Sequence, residues 1–407
     1  MKSHTQAGKK GPDVRSDCWI GLEIADSGGI SVDLQSKVAS LYGESIRKLI
    51  EQELQFFHIE HAKVAIEDSG ALPYTIAARL EAAIKRAMPE TLTEFLLPVE
   101  DGIRTQTERE RFRRSRLYLP GNDPKLAINA GIHNPDGVIL DLEDSVSPDE
   151  KDAARILVRN ALRAVDFYGA ERMVRINQLP LGLADLEAVV PQAPNVILIP
   201  KVESAAQIYD VQRKIDEVKY NAGVSWDIYL MPIIESAMGA MKALEIAQAS
   251  PEIVALAIGL EDYTADIGAE RTLEGKESLW MRGAVLNAAR AAGIQPIDTV
   301  FSDVGDEDGL RASVEEAKSL GFEGKGCIHP RQIRVVHEAF APGEAQLEKA
   351  KRIVMAFQEA QAQGSAVVSL GSKMIDPPVV KRALHTIALA ERAGLLNDNW
   401  MEEADNG

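Results

Sequence analysis

Apolar and polar residues alternate in three short runs near the start of the chain, and this alternation predicts β-strands. The three runs are CWIGLEIAD, GISVDLQS and HAKVAIED. Two longer runs repeat apolar residues at steps of three and four, which predicts amphipathic helices. These runs are SKVASLYGESIRKLIEQELQFF and TIAARLEAAIKRAM. The chain is therefore predicted to begin with a small α+β domain of order ββαβα.

From Ser115 onward the pattern changes, and short apolar runs alternate with helical patterns. Helical segments such as EKDAARILVRNALRAV and MRGAVLNAARAAG lie between the apolar runs. Eight successive strand–helix units predict parallel strands that close into a (β/α)8 TIM barrel of the α/β class. The eight predicted strands are SRLYLPG, DGVILDLED, RMVRIN, NVILIPK, IYLMPIIES, IVALAIGLED, PIDTVFSD and GKGCIHP.

These patterns divide the chain into four parts. We expect the small domain over residues 1–90, a linker over 91–112, the barrel over 113–342 and a C-terminal helical extension over 343–407. The linker contains the charged run ERERFRR. A charge run of this kind predicts a solvated tether between the two domains.

Composition narrows the class of protein. The 407 residues carry a formal net charge of −17, which argues against a nucleic-acid partner. The two cysteines, Cys18 and Cys327, lie far apart and fit a reducing compartment without disulfides. The N-terminus lacks the apolar region of a signal peptide, and no apolar run approaches the length of a membrane span. We therefore expect a cytoplasmic protein with no membrane contact.

Polar side chains follow every predicted barrel strand. In a (β/α)8 barrel the carboxyl ends of the strands form one face, and active sites lie there. The stretch DLED brings three carboxylates directly after the apolar run GVIL. We expect a rim rich in acids, in which some carboxylates are neutralised by a metal ion or by Arg and Lys. The rim residues are Asp141, Glu143, Asp144, Arg175, Asn177, Lys201, Glu203, Glu235, Glu261, Asp262, Asp298, Asp303 and His329.

Two of these carboxylates follow neighbouring strands and suit a magnesium ion. Glu235 and Asp262 can supply the few carboxylate oxygens that Mg²⁺ prefers, with water and substrate oxygens completing its coordination. The alternative is that the acids cap the following helices. Capping is the better interpretation for Asp303 and Asp306. For Glu235 it is weaker, because Glu is a poor N-cap, and spacing alone leaves both interpretations open.

The cations of the rim also have two interpretations each. Arg175, at a strand end flanked by apolar residues, suits bidentate recognition of a substrate carboxylate, or else forms a salt bridge with a rim acid. Lys201 can form a Schiff base, as in some barrel aldolases, or can pair with an acid such as Glu143. His329, in IHP, indicates a structural turn.

Eight motifs occur in order from about Arg113 to Leu396. They are RSRLYLPGN, DLEDSVSPDEKDAAR, VRIN, IPKVESAAQI, PIIESAMGAMKALEIA, GLEDYTADIG, GFEGKGCIHPRQI and MIDPPVVKRA. Together these motifs resemble the citrate lyase beta-subunit (CitE-like) family of HpcH/HpaI aldolases, relatives of malyl-CoA and citramalyl-CoA lyases. This resemblance implies a TIM barrel that binds Mg²⁺ through Glu235 and Asp262. It also implies that Arg175 binds a carboxylate or oxo group of the substrate and that Glu235 contacts the substrate.

The same resemblance gives roles to three further acids. Glu143 and Asp144 match a motif that lines the site in the family. Asp376, in MIDPPV, matches an aspartate that reaches into a neighbouring subunit's site as an acid or base. This implies a homo-oligomer, a trimer or hexamer, in which the C-terminal helices complete a site across the subunit interface.

The N-terminal domain resembles the acyl-carrier (gamma) subunit of citrate lyase over roughly residues 7–88. In that family a serine just before the dipeptide SD carries a phosphoribosyl-dephospho-CoA arm. In this chain Arg15 stands at that position, and Ser16 is the nearby hydroxyl. Either Ser16 carries the arm with a shift of one residue, or the domain has lost its arm. An armed domain implies a citrate lyase complex with a separate alpha subunit.

The resemblance and the rim residues together predict a Mg²⁺-dependent carbon–carbon lyase. Its substrate is expected to be a 3-hydroxy-3-carboxyacyl thioester (citryl, citramalyl or malyl), either CoA-bound or carrier-bound. Cleavage yields an acetyl thioester and a 2-oxo acid, with Asp376 transferring the proton and Glu143 or Asp144 assisting. The alternatives are a Schiff-base aldolase that uses Lys201 and a non-catalytic scaffold that recruits other subunits.

Overall fold

The computed structural model describes residues 4–362, 368–370, 373–397 and 400–401. Its N-terminal domain is a four-stranded sheet with the order β1-β2-β4-β3 and two helices. Strands β3 and β4 pair in parallel, and the other pairs are antiparallel. The elements are β1 (His4–Gly8), β2 (Cys18–Ile24), β3 (Ile30–Ser36), α1 (Ala39–Phe56), β4 (Ala62–Asp68) and α2 (Pro73–Ala87).

The sequence pattern predicted five of these six elements and missed β1. The segment HTQAG has one buried apolar residue, Ala7, so it carries no alternation to detect. Its strand conformation comes from antiparallel pairing with β2, from His4 opposite Glu23 to Gly8 opposite Trp19. The conformation of β1 is therefore decided by pairing with a distant strand, because its own hydrophobic pattern does not predict a strand.

Helix α2 is buried on every side. All residues from Tyr74 to Ile84 are buried, charged residues included. One side of α2 packs on the domain's own sheet and on α1, and the other packs on α4 (Lys151–Ala164) of the barrel. A helix that is enclosed in this way fixes the domain against the barrel.

Residues 89–114 form no helix or strand, as expected of a linker, but the segment is not the solvated tether that the charge run predicted. Arg113 is fully buried, and its guanidinium donates to both Glu171 carboxylate oxygens at 2.8 Å. Arg109 donates to the backbone carbonyls of Pro251 and Ile253. These partners lie at the amino ends of barrel strands. Arg109 and Arg113 therefore attach this segment to the amino-terminal end of the barrel.

Eight parallel strands form a closed barrel in which β12 pairs with β5. This arrangement confirms the predicted TIM barrel. Its interior is filled by inward-facing side chains such as Ile139, Met173, Leu198, Met231 and Ile297. The strands are β5 (Ser115–Pro120), β6 (Gly137–Asp141), β7 (Glu171–Arg175), β8 (Val196–Ile199), β9 (Tyr229–Ile234), β10 (Ala255–Ile258), β11 (Gln295–Asp298) and β12 (Gly324–Cys327).

Helices follow the barrel strands, and the segment MGAMKALEIAQA, predicted as one helix, is broken into two at Lys242. The helices are α3 (Pro124–Ile128), α4, α5 (Leu181–Val189), α6 (Ala205–Ala222), α7 (Ala237–Met241), α8 (Ala243–Ala247), α9 (Leu260–Asp266), α10 (Leu279–Ala292), α11 (Glu307–Leu320) and α12 (Arg331–Phe340). Within the described residues, no helix has the length and apolar character needed to cross a membrane.

The chain divides into two compact units. The first comprises residues 1–305 and 319–333, and the second comprises 306–318 and 334–407. The second unit has its own apolar core, which includes Ile353, Val380 and Trp400. Its C-terminal elements are α13 (Glu344–Ala362), a hairpin of β13 (Val368–Leu370) and β14 (Lys373–Ile375), and α14 (Pro377–Arg392).

Candidate functional site

A cavity of about 470 Å³ opens at the carboxyl ends of the barrel strands. Acidic side chains and Arg175 line one part of it, and apolar side chains line the rest. This is the face on which barrel enzymes place their sites. The lining residues are Tyr118, Leu119, Pro120, Asp141, Asp144, Ser145, Arg175, Ile233, Glu235, Ile258, Gly259, Leu260, Glu261, Asp262, Thr299, Val300 and Ile328.

Arg175, at the end of β7, pairs with the acids that follow β6. Its Nε and Nη2 donate to the two carboxylate oxygens of Asp141 at 2.6 and 2.7 Å, and its Nη1 lies 2.9 Å from Glu143 Oε2. Burial would raise the pKa of Asp141, but the hydrogen bonds and charge of Arg175 outweigh burial and lower it. Arg175 therefore forms a salt bridge with a rim acid, as one of its two interpretations predicted, and it also lines the cavity.

The pKa values of Glu143 and Asp144 shift in opposite directions. Burial raises the pKa of Asp144 to about 6, reinforced by the hydrogen bond and charge of Glu143. Glu143 itself has a lowered pKa, because hydrogen bonds and the charges of Arg175 and Lys201 outweigh its burial. Asp144 is thus the carboxyl of this stretch that can hold or release a proton near neutral pH.

Lys201 places its ammonium group among three carboxylates. Its Nζ lies 3.3 Å from Glu143 Oε1, 3.8 Å from Asp144 Oδ1 and 3.6 Å from Asp262 Oδ1. Partial burial would lower the pKa of Lys201, but these charges raise it. Schiff-base formation needs a neutral amine, so this environment argues against the aldolase alternative. The pairing interpretation, with Glu143 as partner, is the one that the structure bears out.

Glu235, at the end of β9, presents a buried carboxylate to the cavity. It is 4% exposed, and its Oε1 accepts the Lys201 backbone N–H at 2.7 Å. Lys201 adopts a φ of 50°, a left-handed conformation that aims this N–H. A Cβ at position 259 would lie 2.2 Å from Glu235 Oε2, so Gly259 provides the space that the carboxylate occupies. Burial raises the pKa of Glu235 to about 8, and the charges of Asp262 and Glu143 add to the rise.

Asp262 lies in the first turn of α9, one strand further around the barrel, and its side chain is 42% exposed. Glu235 and Asp262 both line the cavity. Two carboxylates beside open space fit a Mg²⁺ ion, which keeps several water or substrate ligands. In the part of the chain that the structure describes, no three His, Cys, Asp or Glu side chains form a metal-binding group, so a dense all-protein cage is not present there.

The remaining rim residues predicted from the sequence serve the scaffold. Asp298 is buried, and its Oδ2 lies 2.9 Å from Lys325 Nζ and 3.1 Å from Arg282 Nη2. Asp306 caps the start of α11 through the Gly309 N–H, as predicted. Asp303 instead accepts the Gly305 N–H in a turn ahead of α11, so the capping interpretation was wrong for Asp303.

Four more rim residues make hydrogen bonds or ion pairs with other groups of the protein. Glu261 pairs with Arg271, and Glu203 accepts the Ser236 hydroxyl at 2.7 Å. Asn177 donates to Asp185 at 2.8 Å. His329 Nδ1 accepts the Arg331 N–H at 3.1 Å, in the turn that its sequence context predicted.

Two predicted residues take part in none of these contacts. Asp376 belongs to the second compact unit, where it is the exposed N-cap residue of α14. Ser16 lies in the loop before β2 with a φ of 55°, and its N–H donates to the Ser69 carbonyl. The roles of both residues stay predictions.

Sequence reasoning missed three residues that shape the site. Tyr118 of β5 lies beneath Arg175, whose guanidinium carbon is 5.4 Å from the ring centroid. Gln178 donates to Glu143 at 3.0 Å, and Lys151 donates to the backbone carbonyls of Leu142 and Glu143. Tyr118 had a usable signal, because alternation along β5 points positions 116 and 118 inward. The positions of Gln178 and Lys151 depend on the paths of loops, and hydrophobic periodicity does not predict those paths.

Comparison with known proteins agrees with this geometry. Residues 114–330 match the family model described as HpcH/HpaI aldolase/citrate lyase. Residues 6–87 match the acyl-carrier model described as malonate decarboxylase delta subunit (MdcD), which confirms a carrier-like N-terminal domain.

Individual relatives are matched over most of their length. The chain is 40% identical over 299 residues to citrate lyase subunit beta of Leuconostoc mesenteroides subsp. cremoris, covering 72% of this chain and 99% of that protein. It is 35% identical over 290 residues to the mitochondrial citramalyl-CoA lyase of Homo sapiens, covering 68% and 85%. A crystal structure of CitE from Mycobacterium tuberculosis, in complex with magnesium, acetoacetate and coenzyme A, matches with a TM-score of 0.56 at 30% identity. The match covers 70% of this chain and 99% of that one. Because the barrel match covers more than half of the chain and these relatives are matched nearly end to end, the chain belongs to the HpcH/HpaI aldolase/citrate lyase family.

Proposed function

We propose that this protein is a Mg²⁺-dependent carbon–carbon lyase acting on a 3-hydroxy-3-carboxyacyl thioester. The observation that carries the proposal is the surplus of carboxylates at the rim, with Glu235 buried in a space that only glycine at position 259 leaves open. A relative named citramalyl-CoA lyase and a related structure containing magnesium and coenzyme A support the substrate class and the metal.

Glu235 and Asp262 are the residues that would hold the metal ion. Bound there, Mg²⁺ supplies a Lewis acid for the substrate's hydroxyl oxygen and neighbouring carboxylate. Burial, with the charges of Asp262 and Glu143 adding to it, raises the pKa of Glu235 to about 8, and a divalent cation held there would stabilise the charged carboxylate.

Arg175 is proposed to bind the carboxylate or developing oxo group of the 2-oxo acid. Asp141 and Glu143 fix the orientation of the guanidinium, and its remaining donor capacity faces the cavity. Lys201, held as an ammonium by Glu143 and Asp262, is proposed as a second polar contact for the substrate. Both cations are preorganised for charge that develops during cleavage.

The reaction is a retro-Claisen (aldol-type) cleavage. A base takes the proton of the 3-hydroxyl group, the oxygen forms the new carbonyl of the 2-oxo acid, and the carbon–carbon bond breaks. The bonding electron pair moves to the thioester as its enolate, and protonation of the enolate carbon gives the acetyl thioester. Asp376 is the proposed proton-transfer residue, and Asp144 or Glu143 assists.

The most direct test is an assay of the purified protein against citryl-CoA, citramalyl-CoA and malyl-CoA, with and without Mg²⁺. We expect oxaloacetate, pyruvate or glyoxylate to form from one of them, and EDTA to abolish its formation. Turnover that survives EDTA, together with borohydride trapping on Lys201, would favour the Schiff-base alternative. No turnover of any thioester, free or carrier-bound, would favour a scaffold.

We also propose a homo-oligomer, a trimer or hexamer, in which Asp376 completes the site of a neighbouring subunit. The exposed position of Asp376 at the start of α14 is compatible with this role. Mixing two inactive variants, Asp376→Ala and Glu235→Gln, under subunit exchange is expected to restore part of the activity, because some sites then receive both intact residues. A mixture as inactive as its components would contradict the sharing of Asp376.

The cellular setting follows from the same proposal. Both cysteines are buried free thiols, as expected for a cytoplasmic enzyme. An N-terminal domain that carried a covalent arm on Ser16 would place the protein in a complex with a citrate lyase alpha subunit. Intact-mass measurement of the purified chain tests for the arm, and an added mass of the CoA-derived group would support that complex.

A further inference from the structure

The N-terminal domain is fixed to the barrel by buried charges. Glu81 of α2 accepts two hydrogen bonds from the Arg159 guanidinium of α4, at 2.9 and 2.6 Å, and both side chains are fully buried. Asn160, beside Arg159, donates to the Tyr74 carbonyl at 3.1 Å. These contacts hold the N-terminal domain against the barrel.

One edge of this interface lies next to the cavity. Arg79 of α2 pairs with Asp17 at 2.8 Å, and its Nη2 also donates to the Asn122 carbonyl at 3.0 Å. Asn122 follows β5 by two residues, and Pro120 at the end of β5 lines the cavity. Arg79 therefore ties the loop that joins β1 to β2, residues 9–17, to the rim of the barrel.

This loop presents cations to solvent at that rim. Lys9 and Arg15 are exposed, and neither makes an ion pair with any residue that the structure describes. Lys10 is engaged with Glu67 at 3.1 Å and with the Trp19 ring, and Asp13 is the exposed acid of the loop. The end of the loop is rigid, because Ser16 and Asp17 are held by backbone hydrogen bonds to Ser69.

The two cations placed at the cavity, Arg175 and Lys201, are assigned to the acyl end of the substrate. Arg175 is bound by Asp141 and Glu143, and Lys201 lies among three carboxylates. The chain as a whole carries a formal charge of −17. A coenzyme A thioester carries phosphates at the far end of its long pantetheine chain. With the acyl group in the cavity those phosphates fall outside it, where they need cations on the rim.

We propose that the β1–β2 loop binds the phosphates of a free coenzyme A thioester through Arg15 and Lys9. The N-terminal domain then serves the barrel as a fixed, non-covalent part of its substrate site. An arginine suits this task because its planar guanidinium matches phosphate oxygens bidentately. The inference rests on the proposed lyase function for its choice of ligand.

Direct titration of coenzyme A into the full-length protein tests the inference without any turnover. We expect coenzyme A to bind at least about tenfold more tightly than pantetheine, because only coenzyme A has phosphates that can accept charge-assisted hydrogen bonds from Arg15 and Lys9. The double variant Lys9→Glu, Arg15→Glu is expected to lose that difference and to leave pantetheine binding unchanged. Lys48→Glu, an exposed change in α1 with the same change of charge per residue, is the matched control and should bind as the wild type does.

Three results would overturn the inference. The first is equal affinity for coenzyme A and pantetheine in the wild type. The second is a loss of coenzyme A affinity that Lys48→Glu reproduces in proportion to charge. The third is an intact mass showing a covalent arm on Ser16. Absence of lyase activity with every thioester would instead contradict the proposed function, and the titration would still decide this inference.

Discussion

Two regions of this molecule bury carboxylates beside arginine, and they differ in charge balance. At the interface between the N-terminal domain and the barrel, Glu81 meets Arg159 and Asp17 meets Arg79, all with side chains at most 3% exposed. At the cavity rim the acids outnumber the cations, and Asp144 and Glu235 have raised pKa values. Balanced pairs hold a structure together, whereas a surplus of buried acid requires a proton or a metal ion. Burial is the main cause of both raised pKa values at the rim, and the neighbouring carboxylates add to the rise, a combination typical of a functional site.

The largest effect is expected at the surplus acids. Glu235→Gln and Asp262→Asn should each lower kcat by about 10³-fold or more, because each removes one of the two proposed metal ligands and metal catalysis contributes several kcal/mol. Steady-state kinetics across a Mg²⁺ titration measures this loss. Glu270→Gln, an exposed change nearby, is the control and should leave kcat unchanged. A Glu235→Gln enzyme that keeps most of its turnover would show that the excess of carboxylates at the rim does not serve to bind a catalytic metal ion.

A large loss of stability is expected at the balanced interface. Arg159→Met leaves Glu81 buried with the partly exposed Lys85 and the Phe95 N–H as its remaining partners, so the free energy of unfolding should fall by about 3 kcal/mol. Urea denaturation measures the change. The double variant Glu81→Met, Arg159→Met is the control and should recover most of the lost stability. If the single variant is as stable as the double, the pair is not what holds the interface.

A smaller effect on catalysis is expected at Arg175, which belongs to the acid-rich rim but forms a buried ion pair like those of the domain interface. Arg175→Lys keeps the positive charge but loses the two-pronged hydrogen bond to Asp141 and the fixed geometry toward the substrate. We expect kcat/KM to fall by about 10- to 100-fold while thermal unfolding changes little. Arg213→Lys, an exposed change on α6, serves as the control. A protein that loses stability and activity in parallel would assign Arg175 to the scaffold alone.

The smallest effect is expected at Glu53, an acid in helix α1 of the N-terminal domain, away from the cavity rim. Glu53 is fully buried in α1, and neither of its carboxylate oxygens has a hydrogen-bond partner among the described residues. Burial, with the charge of Glu81 adding to it, raises its pKa well above the usual value. The folded state therefore keeps a proton that the unfolded state releases near pH 4, and folding becomes less favourable as the pH rises from there toward the folded-state pKa.

Glu53→Gln removes this dependence. We expect the variant to be more stable than the wild type at pH 7 by on the order of 1 kcal/mol, and equally stable at about pH 3, where Glu53 is protonated in both states. Thermal unfolding from about pH 3 to about pH 8 measures the difference. Glu51→Gln, an exposed change in the same helix, should show no such trend. A constant difference at all pH values would mean that the titration of Glu53 does not contribute.

The amino-acid sequence determined the architecture because hydrophobic periodicity records which face of each element is buried. The run GVILD and its seven counterparts gave the barrel strands, and the polar residues after them gave the rim. Glu235, Asp262, Arg175 and Lys201 could be named from strand ends alone, since parallel strands bring their carboxyl ends to one face.

Partner choice was decided by the tertiary structure. Whether Arg175 meets Asp141 or a substrate, whether Arg113 lies in a tether or pairs with Glu171, and whether HTQAG becomes a strand all depend on groups far apart in the chain. Periodicity describes a residue's own element and carries no record of what packs against it. The enclosure of α2 between the sheet and α4, and with it the fixed position of the N-terminal domain, therefore became visible only in three dimensions.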